Sequence, residues 1–237
     1  MPNPTPSQHP PHRDNFWCGS QWLMVAVALS LCYLLSMLAL PYPLHFLVKA
    51  SPILWLALCC NKLLPTAVRT PMTLALLFSA AGDMLLALNF EHSFAAGLSS
   101  FLCAQLIYIS VFFKRRGQLG DKRLMLLAIA IFYIAMLGLI LPETGELKIP
   151  VTVYMTAICC MGALAALHRG SALVLLGAIS FMVSDAVIAI DKFLAPFDGA
   201  RLVIMNTYYL AQILIVTGLV ETYRANADTD KTTETTE

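Results

Sequence analysis

Long apolar runs recur along the whole sequence, and they restrict the chain to one class of structure. Each of eight runs is about 17–25 residues long, the length that a helix needs to cross the hydrocarbon core of a bilayer. The chain is 59% hydrophobic and 12% charged, whereas soluble domains average about 45–50% and about 25%. We therefore predict an all-α fold, an integral membrane helical bundle with about eight transmembrane helices. The predicted spans are residues 20–40, 44–60, 71–90, 94–113, 122–141, 149–167, 171–191 and 201–221.

Polar segments flank this predicted membrane domain of residues 20–221. Residues 1–19 are rich in proline, and residues 222–237 are polar without periodicity, so we predict a disordered tail at each end. The second span is the least regular because it contains Lys49 and Pro52, and a kink or a partly re-entrant segment is one interpretation. Pro71 is expected at an early helical position, where its missing N–H costs little.

The charges in the loops predict how the bundle is oriented. If the N-terminus is cytoplasmic, eleven Lys and Arg residues fall in cytoplasmic segments and three fall on the opposite side. Because cytoplasmic loops carry an excess of Lys and Arg, we expect both termini in the cytoplasm, with the cell (inner) membrane as the location in a bacterium. The net charge of +1 does not suggest a nucleic-acid partner, so the expected partner is the lipid bilayer. The oligomeric state is not predicted.

Three ionisable residues lie inside the predicted spans, namely Lys49, Asp83 and Asp185. Each charge in the bilayer interior costs at least about 2.5–3.5 kcal/mol on insertion scales. Left unpaired, the three would cost on the order of 10 kcal/mol, as much as the stability of a whole domain. They are therefore expected to face a polar interior and to meet partners there.

Several polar side chains are expected at a shared depth, because a helix rises about 1.5 Å per residue. Asp83 and Asp185 lie about 18 and 21 Å from the inner face, in the outer half of a core about 30 Å thick. The helices that run the other way place further polar residues at or just below this level. These are Lys49, Gln105, Asn206, Tyr208 and Gln212. This convergence predicts one polar site within the bundle.

Each of these residues also has a purely structural interpretation. An intramembrane Asp can be a hydrogen-bond acceptor or a partner for Lys49, and Lys49 can extend to the interface. Tyr208 and Tyr209 can belong to an aromatic belt, and Gln105 and Gln212 can join helices by hydrogen bonds. The five histidines lack metal-ligand spacing, and no nucleophile-elbow, P-loop or dinucleotide-binding motif occurs. We expect no metal and no cofactor.

Four stretches follow one another along the chain. They are VKASPILWL (48–56), FSAAGDMLLAL around Asp83, LLGAISFMVSDAVIAIDKF and NTYYLAQILIV (206–216). In this order they resemble the K-x-x-P, S-x-x-G-D, second Asp and Y-Y-x-x-Q segments of the YhhN-like membrane proteins, the lysoplasmalogenase family. The resemblance covers roughly residues 22–221. It departs at Gln105, where many members have His before the L/I-Y pair that is Ile107–Tyr108 here.

The resemblance implies hydrolysis of the vinyl ether bond of a lysophospholipid substrate, lysoplasmalogen. The products would be a fatty aldehyde and a glycerophospho-ethanolamine or -choline, and the catalytic residues would be Asp83 and Asp185. Two carboxyls suit this chemistry if one is protonated and the other ionised near neutral pH. Which one is the acid is left open. The candidate residues for binding or orienting the substrate are Lys49, Gln105, Tyr108, Asn206, Tyr208, Tyr209 and Gln212.

Two further residues, Lys192 and Arg201, are expected near the outer mouth of the site, where they would attract the substrate phosphate.

Two other functions compete with hydrolysis. Intramembrane Asp and Lys residues also form ion relays, so a proton-coupled transporter is the first alternative. A lipid-binding membrane protein without catalysis is the second.

Overall fold

The bundle is seen in a computed structural model that describes residues 20–40, 42–88 and 90–234. This part of the chain contains eight helices that are long and apolar enough to cross a membrane, which confirms the predicted fold class and number of spans. The helices are α1 (Gln21–Ser36), α2 (His45–Leu63), α3 (Thr66–Ala87), α4 (Ser93–Lys114), α5 (Arg123–Ile140), α6 (Lys148–Leu167), α7 (Ala172–Phe193) and α8 (Ala200–Glu234).

Two of the described helices contain proline beyond the first turn. Helix α3 begins at Thr66 rather than at residue 71, because the Pro65 carbonyl accepts hydrogen bonds from the amides of Val68 and Arg69. Pro71 therefore lies in the second turn, and its predicted early position is wrong. Helix α2 is one continuous helix around Pro52. The carbonyl that Pro52 cannot bond to, that of Val48, accepts the Ser51 hydroxyl at 2.8 Å, so the backbone group is satisfied inside the membrane.

The last helix is longer than predicted. Helix α8 continues through residues 222–234, beyond residue 221, where the eighth span is predicted to end. This segment contains no Pro or Gly, and extending an existing helix is far easier than nucleating one. The predicted tail at residues 1–19 lies outside the described residues.

Close packing between α7 and α8 depends on glycine. A Cβ atom at Gly177 would lie 2.8 Å from the Ala211 carbonyl oxygen, and one at Gly218 would lie 2.8 Å from the Val174 amide nitrogen. Small residues allow helix backbones to approach in this way. By contrast, α5 packs mainly on α6 and makes few contacts with α7. Its outer side exposes large apolar residues, including Leu124 and Ile134, as expected for a surface that faces lipid.

The two ends of the bundle differ. At the end where α4 and α6 finish, the Gly117 amide donates to the Leu167 carbonyl at 2.6 Å. The loops that follow these two helices are therefore in direct contact. His168 is half-buried there against the Phe112 ring, and burial, together with nearby Arg115, lowers the pKa of His168 to about 4. The opposite end, where α3 and α7 finish and α2, α4 and α8 begin, contains the cavities described next.

Candidate active site

A cavity of about 730 Å³ lies at the end of the bundle where α3 and α7 finish. Its wall combines side chains from helices that are distant in the sequence. Both intramembrane aspartates contribute to this wall, Asp83 from α3 and Asp185 from α7. The polar and ionisable residues around it are Tyr33, His45, Lys49, Asp83, Ser93, Ser184, Asp185, Asp191, Lys192, Arg201 and Tyr208.

Asp83 is buried and paired with a cation. Its Oδ1 atom lies 3.3 Å from the Lys49 Nζ atom, and both side chains are almost fully buried. The same ammonium group donates to the Asp83 backbone carbonyl at 3.2 Å. The second carboxyl oxygen, Oδ2, has no hydrogen-bond partner among the described residues, and the Tyr208 hydroxyl lies beside this carboxyl without a hydrogen bond of good geometry. The arrangement favours an ionised Asp83 with one oxygen open to a ligand or water.

Glycine next to Asp83 holds α3 against α4. A Cβ atom at Gly82 would lie 2.6 Å from the Phe101 ring, and one at Gly97 would lie 2.7 Å from the Leu86 side chain. Because both helices are this close, Phe101 and Leu86 reach the cavity wall beside the carboxyl. The close packing of α3 on α4 at Gly82 therefore lies directly beside the Asp83 carboxyl in the cavity wall.

Asp185 has a different environment. Its Oδ2 atom accepts a hydrogen bond from the Tyr154 hydroxyl of α6 at 2.5 Å, and no Lys, Arg or His of the described part of the chain forms an ion pair with it. Ser184, the preceding residue, donates to the Ile204 carbonyl at 3.1 Å and fixes this turn of α7 against α8. The two aspartates therefore meet one cavity with unlike partners, a cation for Asp83 and a neutral hydroxyl for Asp185.

Asp185 also lines a second, smaller cavity of about 60 Å³. Residues of α3 to α7 form its wall, and apart from Asp185 and Tyr154 they are apolar or weakly polar. Five residues line both cavities. These are Leu86, Phe94, Phe101, Asp185 and Ile188.

The two neighbouring tyrosines of α8 have separate roles. Tyr208 lines the larger cavity, and its ring is held edge-on by Phe101 and Phe181 at centroid distances of 5.8 and 5.5 Å. Tyr209 instead donates its hydroxyl to the Lys49 backbone carbonyl at 2.7 Å. Tyr209 therefore supports the helix that carries Lys49, while Tyr208 faces the site.

The remaining candidate residues do not line either cavity. Tyr108 donates to Gln212 Oε1 at 2.7 Å, and Gln105 is fully buried with both amide atoms lacking a hydrogen-bond partner among the described residues. Asn206 is exposed on the outside of α8 and donates to the Leu202 carbonyl at 2.8 Å. The structure therefore separates Asn206 from the site, although its depth along the helix matches that of the site.

Tyr154 is a site residue that sequence reasoning missed. A signal was available, because Tyr154 interrupts the apolar run of the sixth span near the end where the other polar residues converge. Among the described residues, no group of three or more His, Cys, Asp or Glu side chains is placed to hold a metal ion.

Comparison with known proteins identifies the family of this chain. Residues 44–219 match the YhhN family. The chain is 35% identical over 190 residues to lysoplasmalogenase TMEM86A of Bos taurus, covering 74% of this chain and 78% of that protein. It is 35% identical over 170 residues to lysoplasmalogenase TMEM86B of Homo sapiens, covering 71% of this chain and 72% of that protein. No solved structure matches significantly. The predicted resemblance is thus confirmed, and the chain is a multi-pass membrane protein of the YhhN family.

Proposed function

We infer that this protein is a membrane ether hydrolase that cleaves the vinyl ether bond of lysoplasmalogen. The products are a fatty aldehyde and a glycerophospho-ethanolamine or -choline. The observation that carries the proposal is that Asp83 and Asp185 line one cavity with unlike partners. Proteins named lysoplasmalogenase that match most of this chain support the choice of substrate.

The reaction needs an acid and a base. An acid protonates the carbon of the double bond that lies beyond the ether-bearing carbon, which leaves an oxocarbenium ion. Water loses a proton to a base as it adds to this ion, and the resulting hemiacetal collapses to aldehyde and alcohol. Glycosidases use two carboxyls in the same way for an oxocarbenium-like transition state. In the collapse, the base returns its proton to the departing ether oxygen, and the carboxylate of the acid takes the hydroxyl proton of the hemiacetal, so both carboxyls regain their starting forms.

The partners of the two aspartates support a different role for each. Asp83 lies beside the Lys49 ammonium group, which stabilises the carboxylate, so Asp83 acts as the base that accepts the proton of water. Asp185 lies between the polar cavity and an apolar one and meets a neutral donor, Tyr154. An apolar surrounding favours the uncharged form of a carboxyl, so Asp185 acts as the acid. Tyr208 lines the same cavity and orients the ether or the water.

Basic side chains at the mouth suit the phosphate of the substrate. Lys192 and Arg201 both line the larger cavity and are solvent-exposed. Two exposed cations attract a phosphodiester to the mouth while leaving the buried Lys49–Asp83 pair intact. The glycerophosphate group thus lies near the end of the bundle, and the vinyl ether lies deeper, at the aspartates.

The Lys and Arg residues of the loops support a proposal for the orientation of the bundle. The site lies at the end opposite the loops that carry most of these residues, and because cytoplasmic loops carry an excess of positive charge, the proposal has both termini inside and the site in the outer half of the membrane. The test uses a variant whose seven native cysteines are replaced, with single cysteines introduced at the exposed residues 91 and 118. Only the first is expected to react with a membrane-impermeant reagent from outside.

The proposed function is tested by incubating the purified protein with 1-alkenyl lysophosphatidylethanolamine and measuring aldehyde release. Asp83→Asn and Asp185→Asn should each abolish release while the protein still elutes as a folded species. Glu91→Gln is the matched control, because Glu91 is exposed near the same end and lines neither cavity. Full activity of either Asn variant rejects the two-carboxyl scheme. Proton-coupled flux in liposomes without lipid turnover would instead support the transporter alternative.

A further inference from the structure

We propose that the small apolar cavity beside Asp185 is the subsite for the first carbons of the alkenyl chain, and that the rest of the chain leaves the protein between α5 and α7. The proposal rests on the proposed function and makes it more specific, since it names the part of the lipid that each cavity takes. It also identifies which residues select the hydrocarbon chain.

The position of the cavity is the first argument. Five residues line both cavities, and the acid of the proposed reaction, Asp185, is one of them. A vinyl ether has its oxygen on the headgroup side and its second alkene carbon on the chain side. If the glycerophosphate group lies in the larger cavity, the alkene carbon that takes the proton lies at the border, beside Asp185. The chain then continues into the smaller cavity.

The chemistry of the wall is the second argument. The Tyr154 hydroxyl and the Asp185 carboxyl bond to each other, so they offer little to a polar ligand in the smaller cavity. Most of the remaining wall consists of hydrocarbon and aromatic side chains, including Phe132, Met136 and Met155. Cavities lined in this way exclude water and bind apolar molecules.

The size of the cavity requires an exit. Its volume of about 60 Å³ is only a few times the roughly 10–15 Å³ that one water needs on the same measure, so it holds a short stretch of chain. Helix α5 makes few contacts with α7, and the α7 residues that face the cavity near α5 include the small Ala186 and Ala189. A chain that passes here reaches the bilayer directly.

A photolabelling experiment tests the path of the chain without requiring turnover. The probes are two 1-alkyl lysophosphatidylethanolamines, which lack the vinyl ether, with a diazirine either near the ether or at the chain terminus. Mass spectrometry of the labelled wild-type protein should find the first probe on wall residues such as Met136, Met155 or Phe193. It should find the second on lipid-facing residues of α5 and α7. Labelling by the first probe on other helices, outside the cavity wall, would overturn the proposal.

A variant tests the same subsite by kinetics. Ala189→Phe fills the cavity from α7, and Val183→Phe is the control on the same helix, because Val183 is exposed and lies outside both cavity walls. Ala189→Phe should raise KM about tenfold for a long-chain substrate, the loss expected when two methylenes leave an apolar site. It should leave KM unchanged for the analogue whose alkenyl group is vinyl alone.

Equal effects of Ala189→Phe on both substrates, or equal effects of the two Phe variants, would overturn the subsite. The two proposals fail separately. If the protein releases no aldehyde but the probes label the cavity wall as expected, the subsite stands and the proposed function fails. If aldehyde is released but labelling falls elsewhere, the proposed function stands and the subsite is wrong.

Discussion

The hydrogen bond from Tyr154 to Asp185 makes a quantitative prediction about the proton-transfer step. Tyr154 lies on α6, is buried, and donates to Asp185 Oδ2 at 2.5 Å. Before the transfer, the proposed acid is neutral and this is a hydrogen bond between uncharged groups. As the proton leaves, Asp185 becomes a carboxylate and the same bond becomes charge-assisted. The bond therefore strengthens in the transition state, which is the condition for accelerating a chemical step.

The magnitude follows from this change in the bond. A neutral hydrogen bond contributes about 0.5–1.5 kcal/mol, and one to a charged group contributes about 1.5–3 kcal/mol. Tyr154→Phe removes the difference, about 0.5–2 kcal/mol, which corresponds to a decrease in kcat of about 2- to 30-fold. KM should stay the same, because the hydroxyl is already occupied by Asp185 and does not bind the lipid.

The assay is the rate of aldehyde release from 1-alkenyl lysophosphatidylethanolamine, measured in H2O and in D2O. Tyr154→Phe should also increase the solvent isotope effect on kcat, since proton transfer then contributes more of the barrier. Tyr133→Phe is the matched control, because the Tyr133 hydroxyl of α5 lies 2.9 Å from Thr156 Oγ1 of α6, and neither residue lines a cavity. An unchanged kcat, or an equal decrease in the control, refutes the role assigned to Tyr154.

Two further predictions concern Lys49 and Asn206. Lys49→Met leaves Asp83 buried without its cation, so the free energy of unfolding should fall by about 3–5 kcal/mol, and thermal unfolding in detergent should show that the double variant Lys49→Met/Asp83→Asn recovers part of this loss. A double variant less stable than Lys49→Met would contradict the buried pair. Asn206→Ala should leave kcat and KM within about twofold of wild type, because Asn206 is exposed and bonded to Leu202; a loss of activity similar to that of Asp83→Asn would show that it reaches the substrate.

Much of the site could be predicted because depth in a membrane follows from position in the sequence. An apolar run marks a span, and each residue adds about 1.5 Å along the axis. This arithmetic brought Lys49, Asp83 and Asp185 to one end of the bundle, where the structure places all three in the wall of one cavity. The number of spans follows from the same reasoning, because hydrocarbon requires long helices with satisfied backbones.

The direction in which each side chain points was decided only by the tertiary structure. Asn206, Tyr208 and Tyr209 lie within one turn of α8, yet Asn206 is exposed, Tyr208 lines the cavity and Tyr209 bonds to the Lys49 carbonyl. Rotation about the helix axis depends on close contacts between helices, such as those at Gly177 and Gly218, and an apolar run surrounded by lipid carries little amphipathic signal to reveal it.

The partners of the two aspartates were also decided only by the tertiary structure. The sequence suggested that Lys49 could pair with an aspartate, but it did not say which one. It gave no sign that Tyr154, from a span not expected to contribute, would bond to Asp185. The sequence by itself determined that buried carboxyls would be present at one level of a membrane bundle. Only the packing of α2 on α3 and of α6 beside α7 gave them unlike neighbours, because a partner is set by contact across helices and not by distance along the chain.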